Sequence, residues 1–212
     1  MGKSQLSLHE TCAMLLHVSQ RMVDSKDSLT DADKAIGDGD HGVGMARGFE
    51  AVRQRLERQS FAALDELFKS VGMALMTSIG GAAGAVFGTL FRGGAKRLGG
   101  RQVFDAEAVS LLLVDGLAAV KERGGAKPGD KTMVDALEPA ALKSQEMNQA
   151  ALDECLHAVV EAARQGMEQT KDMLARVGKA KTLGGRAVGH PDPGAVSTYL
   201  ILQFMLEYVT QS

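Results

Sequence analysis

The sequence is poor in residues that crosslink or span. Only two of its 212 residues are cysteine, Cys12 and Cys155, far apart and without metal-ligand spacing. That pattern excludes a disulfide framework and a cysteine zinc site, and it suits a reducing cytoplasm, the expected location. Neither charge sign is in excess: 24 basic and 26 acidic residues give a formal charge of −2 and a pI of about 6.2. Nothing in that balance points to nucleic acid or an anionic membrane as partner. Long apolar runs are absent too. Gly, Arg or Asp interrupts each one well before the roughly 20 residues a membrane span needs. The first ten residues hold no apolar stretch after their lysine, so no signal peptide is expected. Aromatics reach only 4%, with no tryptophan.

Glycine, by contrast, is abundant, at 25 of 212 residues, where about 7% is usual. The glycines cluster at 37–48, 80–100, 124–129 and 184–194. Scattered glycine would weaken a helical protein, so the clusters mark candidate ligand loops. Between them the apolar residues recur with helical period. Helices are expected over 8–24, 43–57, 61–77 and 83–97, then from an Asp105 cap through Val120, over 131–143, near 150–177, and over 195–210. Pro139 is expected to kink or end the sixth. No segment alternates as a strand does, so the prediction is an all-α fold of about eight helices, forming one domain over 1–212 with essentially no sheet.

Four glycine-containing motifs carry possible chemistry. In the first, Asp31, Asp33, Asp38 and Asp40 fall within ten positions, punctuated by Gly37, Gly39, Gly42 and Gly44. Three carboxylates converging in one turn repel unless a cation lies between them, and hard oxygen ligands select Mg²⁺ or Ca²⁺. An EF-hand is excluded, because a loop starting at Asp38 would need glycine at Val43 and glutamate at Phe49. The competing reading is a solvated turn with Asp38 or Asp40 capping a helix. The literal G-x-G-x-x-G at Gly37, Gly39 and Gly42 lacks a βαβ context and is a weak signal.

Thr77 to Gly84 reads as a glycine-rich helix start, suited to phosphate through free N–H groups, or equally to close helix packing. Gly124 to Met133 imitates a P-loop, but Asp130 separates Gly129 from Lys131 and no strand precedes it. The alternative is a helix connection capped by Asp130 or Thr132. Gly184 to Gly194 is a loop stiffened by Pro191 and Pro193, suited to binding or simply a turn.

In this order and spacing, IGDGDHG, SIGGAAG, GAKPGDKTM and GHPDPGA resemble the L subunit of dihydroxyacetone kinases, from about Asp33 to the last helix. The resemblance implies a barrel of about eight antiparallel helices with a nucleotide among the loops at one end. It implies two Mg²⁺ held by Asp33, Asp38 and Asp40, and ADP or ATP held by several groups of residues. His41, Gly42, Val43 and Gly44 match the phosphate side, and Ala82 and Ala83 match the glycine-rich loop. Gly124, Met133, Asp192, Pro193 and Gly194 match positions near the nucleoside. Lys179 matches a position that is Arg in other members. Members commonly carry Ser where this chain has Ala83, and Pro where it has Ala85.

No residue need be a nucleophile, since phosphoryl transfer relies on positioning and charge. In the family a separate K subunit holds the ketose, and a phosphotransferase-system protein recharges bound ADP, or free ATP exchanges instead. Arg47, Lys131 and Arg186 are the expected rim of the K-docking surface. The alternative is a regulatory subunit that binds Mg-ADP and contacts a transcriptional regulator.

Overall fold

Eight helices close into a ring because each one buries its stripe against both neighbours. The computed structural model describes residues 2–211, with the side chain of Lys179 outside that description. Helices α1 (Leu8–Asp24), α2 (Lys26–Lys34), α3 (His41–Arg58), α4 (Leu64–Ser78) and α5 (Gly81–Gly94) are followed by α6 (Ala106–Gly124), α7 (Val134–Glu146), α8 (Leu152–Gln169) and α9 (Pro193–Gln211). Packing runs α1–α3–α4–α5–α6–α7–α8–α9 and returns to α1, leaving α2 outside the ring against α3. One continuous apolar core fills the middle, from Met14 and Phe49 through Phe68 and Phe91 to Leu137, Leu156 and Met205. No helix among the described residues is long and apolar enough to cross a membrane.

The all-α expectation holds. Its only sheet among the described residues is a two-residue ladder, Leu6 opposite Phe104 and Ser7 opposite Val103. Consecutive helices in such a ring alternate in direction, so alternate connections share an end. One end collects residues 35–40, 79–80, 125–133 and 170–192. The ladder belongs to the other end, together with the bond from the Leu64 amide to the Arg101 carbonyl at 2.8 Å.

Three segments differ from the sequence expectation. Helix α2 was unforeseen, because Leu29 is its only buried apolar residue and one residue sets no period. The expected 150–177 helix stops at Gln169 and passes into a 3₁₀ turn at Thr170–Asp172. There the Thr170 hydroxyl bonds the Met167 carbonyl at 2.6 Å and accepts the Asp192 amide at 2.9 Å. Pro139 does not end α7, which continues to Glu146. The carbonyl of Asp135, four residues before it, lies instead against Gly166 of α8, where a Cβ would approach to 2.1 Å.

The glycine-rich helices pack as their composition suggests. A Cβ on Gly72 of α4 would meet the Gly88 carbonyl of α5 at 2.6 Å, and one on Gly88 would meet the Gly72 carbonyl at 2.8 Å. Backbone carbonyls share that seam with the side chains of Arg92 and Met76. Gly166→Ala tests the same kind of contact. Alanine favours a helix over glycine by about 1 kcal/mol, but overpacking against a carbonyl costs about 1–3 kcal/mol. The variant is expected to melt several degrees lower, at about 2–4 °C per kcal/mol for this size. A thermal scan showing an unchanged or raised Tm would remove the close-contact argument.

Candidate functional site

The acidic motif begins on a helix and ends on a helix. Asp33 lies in the last turn of α2 and is buried, while Asp38 and Asp40 follow on the turn into α3. Gly39 takes a φ of +78°, which glycine adopts without strain. Asp40 occupies the N-cap position of α3 but makes no side-chain cap bond. Asp33 serves that helix end instead, accepting the His41 amide on Oδ2 at 3.1 Å. The result is one oxygen from each of Asp33, Asp38 and Asp40 within 4.8 Å of the others. The donor set suits a hard cation in type, and opposite oxygens of an octahedral Mg²⁺ shell lie about 4 Å apart, so the three carboxylates would draw in slightly around an ion.

Facing the carboxylates is the start of α5. Gly80 turns the chain with a φ of +83°, and α5 opens at Gly81 without a side-chain cap. Its first amides, at Gly81, Ala82 and Ala83, therefore lack helical partners and point their dipole toward the cleft. What fixes this turn against α3 is close packing. Ile79 lies against Gly44 and Gly48, where added Cβ atoms would come within 3.3 and 2.3 Å of it. Arg47 completes the join, donating from Nε to the Ser78 carbonyl at 2.6 Å and from Nη2 to the Ile79 carbonyl at 2.5 Å.

The cleft between these elements measures about 820 Å³, within the usual range for a small-molecule site. Around it stand Asp33, Asp38, Asp40, His41, Val43, Gly44, Ala82, Ala83, Gly124, Met133, Asp192, Pro193 and Gly194. Gly42 does not line it. Its Cα faces α2, where a Cβ would meet the Lys26 carbonyl at 2.2 Å. The side chain of Lys179 lies outside the described residues. His41 is held at both ends, since its Nε2 is 2.8 Å from the Ser197 hydroxyl on α9.

Several lining residues escaped the sequence reading. Val86 and Phe87 stand one turn beyond Ala82 and Ala83 on α5, and Val120 one turn before Gly124 on α6. Helical period applied to the motif residues would have found them. With Ala126, Met133 and Val177 they add apolar groups to the lining of the cleft.

Lys131 corrects the expectation of a rim cation. It is 1% exposed, with a φ of +61°. Its Nζ donates to the carbonyls of Thr170 at 2.5 Å and His190 at 2.6 Å. Burial lowers its pKa, partly offset by the charges of Asp192, Asp172 and Asp135. Arg47 and Arg186 are exposed, as a rim requires.

A model of the DAK2 domain matches residues 35–207. The chain belongs to the DAK2 domain family. Among DAK2 relatives, the ADP-binding subunit DhaL of the PEP-dependent dihydroxyacetone kinase 1 of Listeria innocua is 37% identical over 188 residues, covering 89% of this chain and 90% of its own. The ADP-binding subunit DhaL of the PTS-dependent dihydroxyacetone kinase of Lactococcus lactis is 35% identical over 204 residues, covering 96% and 99%. The crystal structure of the dihydroxyacetone kinase from C. freundii in complex with AMP-PNP and Mg²⁺ superposes with a TM-score of 0.73 at 28% identity. That likeness covers 92% of this chain but spans only a third of the crystallised kinase.

In this DAK2 domain Asp192 links fold and site. Its Oδ2 caps α9 by accepting the Ala195 amide at 2.8 Å. Burial pushes its carboxyl up to about 7, the cap bond and Lys131 opposing and Asp135 assisting the rise. The folded state then keeps a proton that the unfolded chain releases near pH 4. Stability contributed by this group is therefore full below about pH 4 and is lost as pH rises toward 7. Asn caps as well as Asp but does not titrate. In nucleotide-free protein, Asp192→Asn is expected to gain on the parent steadily between pH 4 and 7 and to hold that gain above. Urea unfolding at several pH values reads the difference, and parallel profiles would contradict it.

Proposed function

We propose that this chain is the nucleotide-binding, phosphoryl-donating subunit of a dihydroxyacetone-type kinase, acting on a short ketose held by a separate K subunit. The observation that carries the reading is the convergence of Asp33, Asp38 and Asp40 opposite the open start of α5, across one cleft. Carboxylates and a phosphate-binding helix start repel one another's ligands unless cations stand between. The names of the DAK2 relatives, ADP-binding subunits of dihydroxyacetone kinases, agree with that chemistry.

Each wall has its part. Asp33, Asp38 and Asp40 would hold two Mg²⁺. Three carboxylates and an ATP near −4 sum to about −7, which two dications reduce to about −3. When bound, the ions supply charge neutralisation between protein and phosphates. The amides of Gly81, Ala82 and Ala83 donate to phosphate oxygens, and His41, Val43 and Gly44 close the same side. Val86, Val120, Met133 and Val177 offer an apolar surface to the nucleoside, with Gly124, Asp192, Pro193 and Gly194 at its edge. The PEP- and PTS-dependent relatives of matching length favour retained ADP, rephosphorylated in place by a phosphotransferase-system protein, over free exchange of ATP. Arg47 and Arg186 belong to the rim that meets the K subunit.

Asp38→Asn withdraws one ligand and one charge from the cluster while sparing the core. It is expected to weaken Mg²⁺-dependent ADP binding at least tenfold on the scale of lost ligand contacts. Calorimetry with undiminished MgADP affinity would overturn the metal assignment. ADP with Mg²⁺ should also stabilise the native state, by roughly 2.7 kcal/mol at ligand about 100 times its dissociation constant. ADP with EDTA should give a much smaller shift in Tm. Equal shifts would mean that the carboxylates do not reach the phosphates through cations.

A further inference from the structure

Arg47 carries a charge that no carboxylate among the described residues pairs with. It lies one turn beyond Val43 on α3 and lines the cleft with it. The carbonyls of Ser78 and Ile79 take two of its N–H groups, leaving three of the five donors. Carbonyls orient a guanidinium without cancelling its charge. No ion pair among the described residues involves Arg47, whereas the other lining cation, Lys131, is buried on two carbonyls with three aspartates around it.

The position narrows the role. Arg47 is exposed, on the side of the glycine turn that carries the open amides of α5. A phosphoryl group destined for a sugar on another protein must lie toward the accessible side, where Arg47 is. Its two carbonyl bonds hold it in place beforehand, so it need not reorganise as charge develops.

We infer that Arg47 contacts the phosphoryl group during its transfer and stabilises the negative charge on its equatorial oxygens, an inference that rests on the kinase reading above. In that step a ketose hydroxyl oxygen bonds to the terminal phosphorus and gives its proton to solvent. The bond to the bridging oxygen breaks, its electron pair staying on ADP. At that moment the three oxygens of the transferring group flatten into a plane and charge shifts onto the bridging oxygen that leaves with ADP, an arrangement the bound nucleotide lacks. A cation fixed there therefore raises kcat more than it tightens nucleotide binding.

The test compares the parent with Arg47→Gln and Arg47→Lys, each full chain mixed with a ketose-binding partner subunit. Gln keeps one amide donor at the position of Nε, for the Ser78 carbonyl, and loses the charge. Arg47→Gln is expected to lower kcat at least about 100-fold while holding MgADP affinity, by calorimetry, within about tenfold. Arg47→Lys keeps a point charge without the planar donors and should lie between. A purely structural Arg47 would instead move Tm and MgADP affinity together with kcat, and that outcome, like an unchanged kcat, overturns the inference. If Arg47→Gln fails to fold, Arg47→Lys decides alone by the same split between kcat and affinity. A parent that binds MgADP but loses nothing in Arg47→Gln defeats only the role of Arg47. A parent that neither binds MgADP nor supports transfer defeats the kinase reading, and this inference with it.

Discussion

The site depends on how closely the backbone of α3 approaches the turn between α4 and α5. Gly44 and Gly48 leave a groove one turn long, and Ile79 fills it. A methyl group at Gly48 would come within 2.3 Å of the Ile79 side chain, so the approach has almost no tolerance for added volume. Arg47 lies between those two glycines in sequence and bonds the same turn on its polar side. Apolar packing thus holds the junction, and the carbonyls of the same turn orient the guanidinium. Moving it by an ångström would carry the open amides of α5 away from Asp33, Asp38 and Asp40, and the cleft would lose its two-sided chemistry.

The opposite wall is held by a different device. A buried ammonium is costly unless its donors are satisfied, and Lys131 meets that condition with the carbonyls of Thr170 and His190. Those carbonyls lie at either end of the connection between α8 and α9, so one side chain fixes both ends of the segment that brings Val177, Ala180 and Asp192 to the cleft. The left-handed backbone at Lys131 costs a non-glycine residue about 1–2 kcal/mol. Two charge-assisted bonds to carbonyls oppose that cost and the cost of burying the ammonium.

How much of this was legible in the sequence follows from which forces leave a local trace. Helices with a buried stripe, such as α1 and α4, declare themselves by period, and Asp105 declared its cap. Helix α2 buries one leucine and left no period to read. The acidic and glycine motifs were visible because their residue types are unusual together. Their convergence was not, since it depends on helices adjoining across the ring. Lys131 was misplaced for a related reason: a lysine in a polar loop normally faces solvent, and only the fold reveals carbonyls from two distant segments waiting for it. Gly42 entered the site reading through the family resemblance, and helical geometry turns its Cα about a hundred degrees from Val43, onto α2.

The carboxylate cluster shows which part of the fold bears the cost of the site. Two like charges within 4.8 Å of each other repel by at least about 1 kcal/mol in water and about 3 kcal/mol at an effective dielectric constant of 20. The His41 amide on Asp33 and the further interactions of Asp38 and Asp40 offset part of that energy. The groups stay together because Asp33 is tied to the α3 amide and because Gly42 lets α3 lie directly on α2. Packing energy gained far from the cleft therefore holds a local arrangement that is unfavourable without a cation. A cation entering such a site relieves repulsion without having to organise its ligands first. That is why the acidic turn is built between two helices rather than left as a free loop, which would relax and have to be ordered again with each binding event.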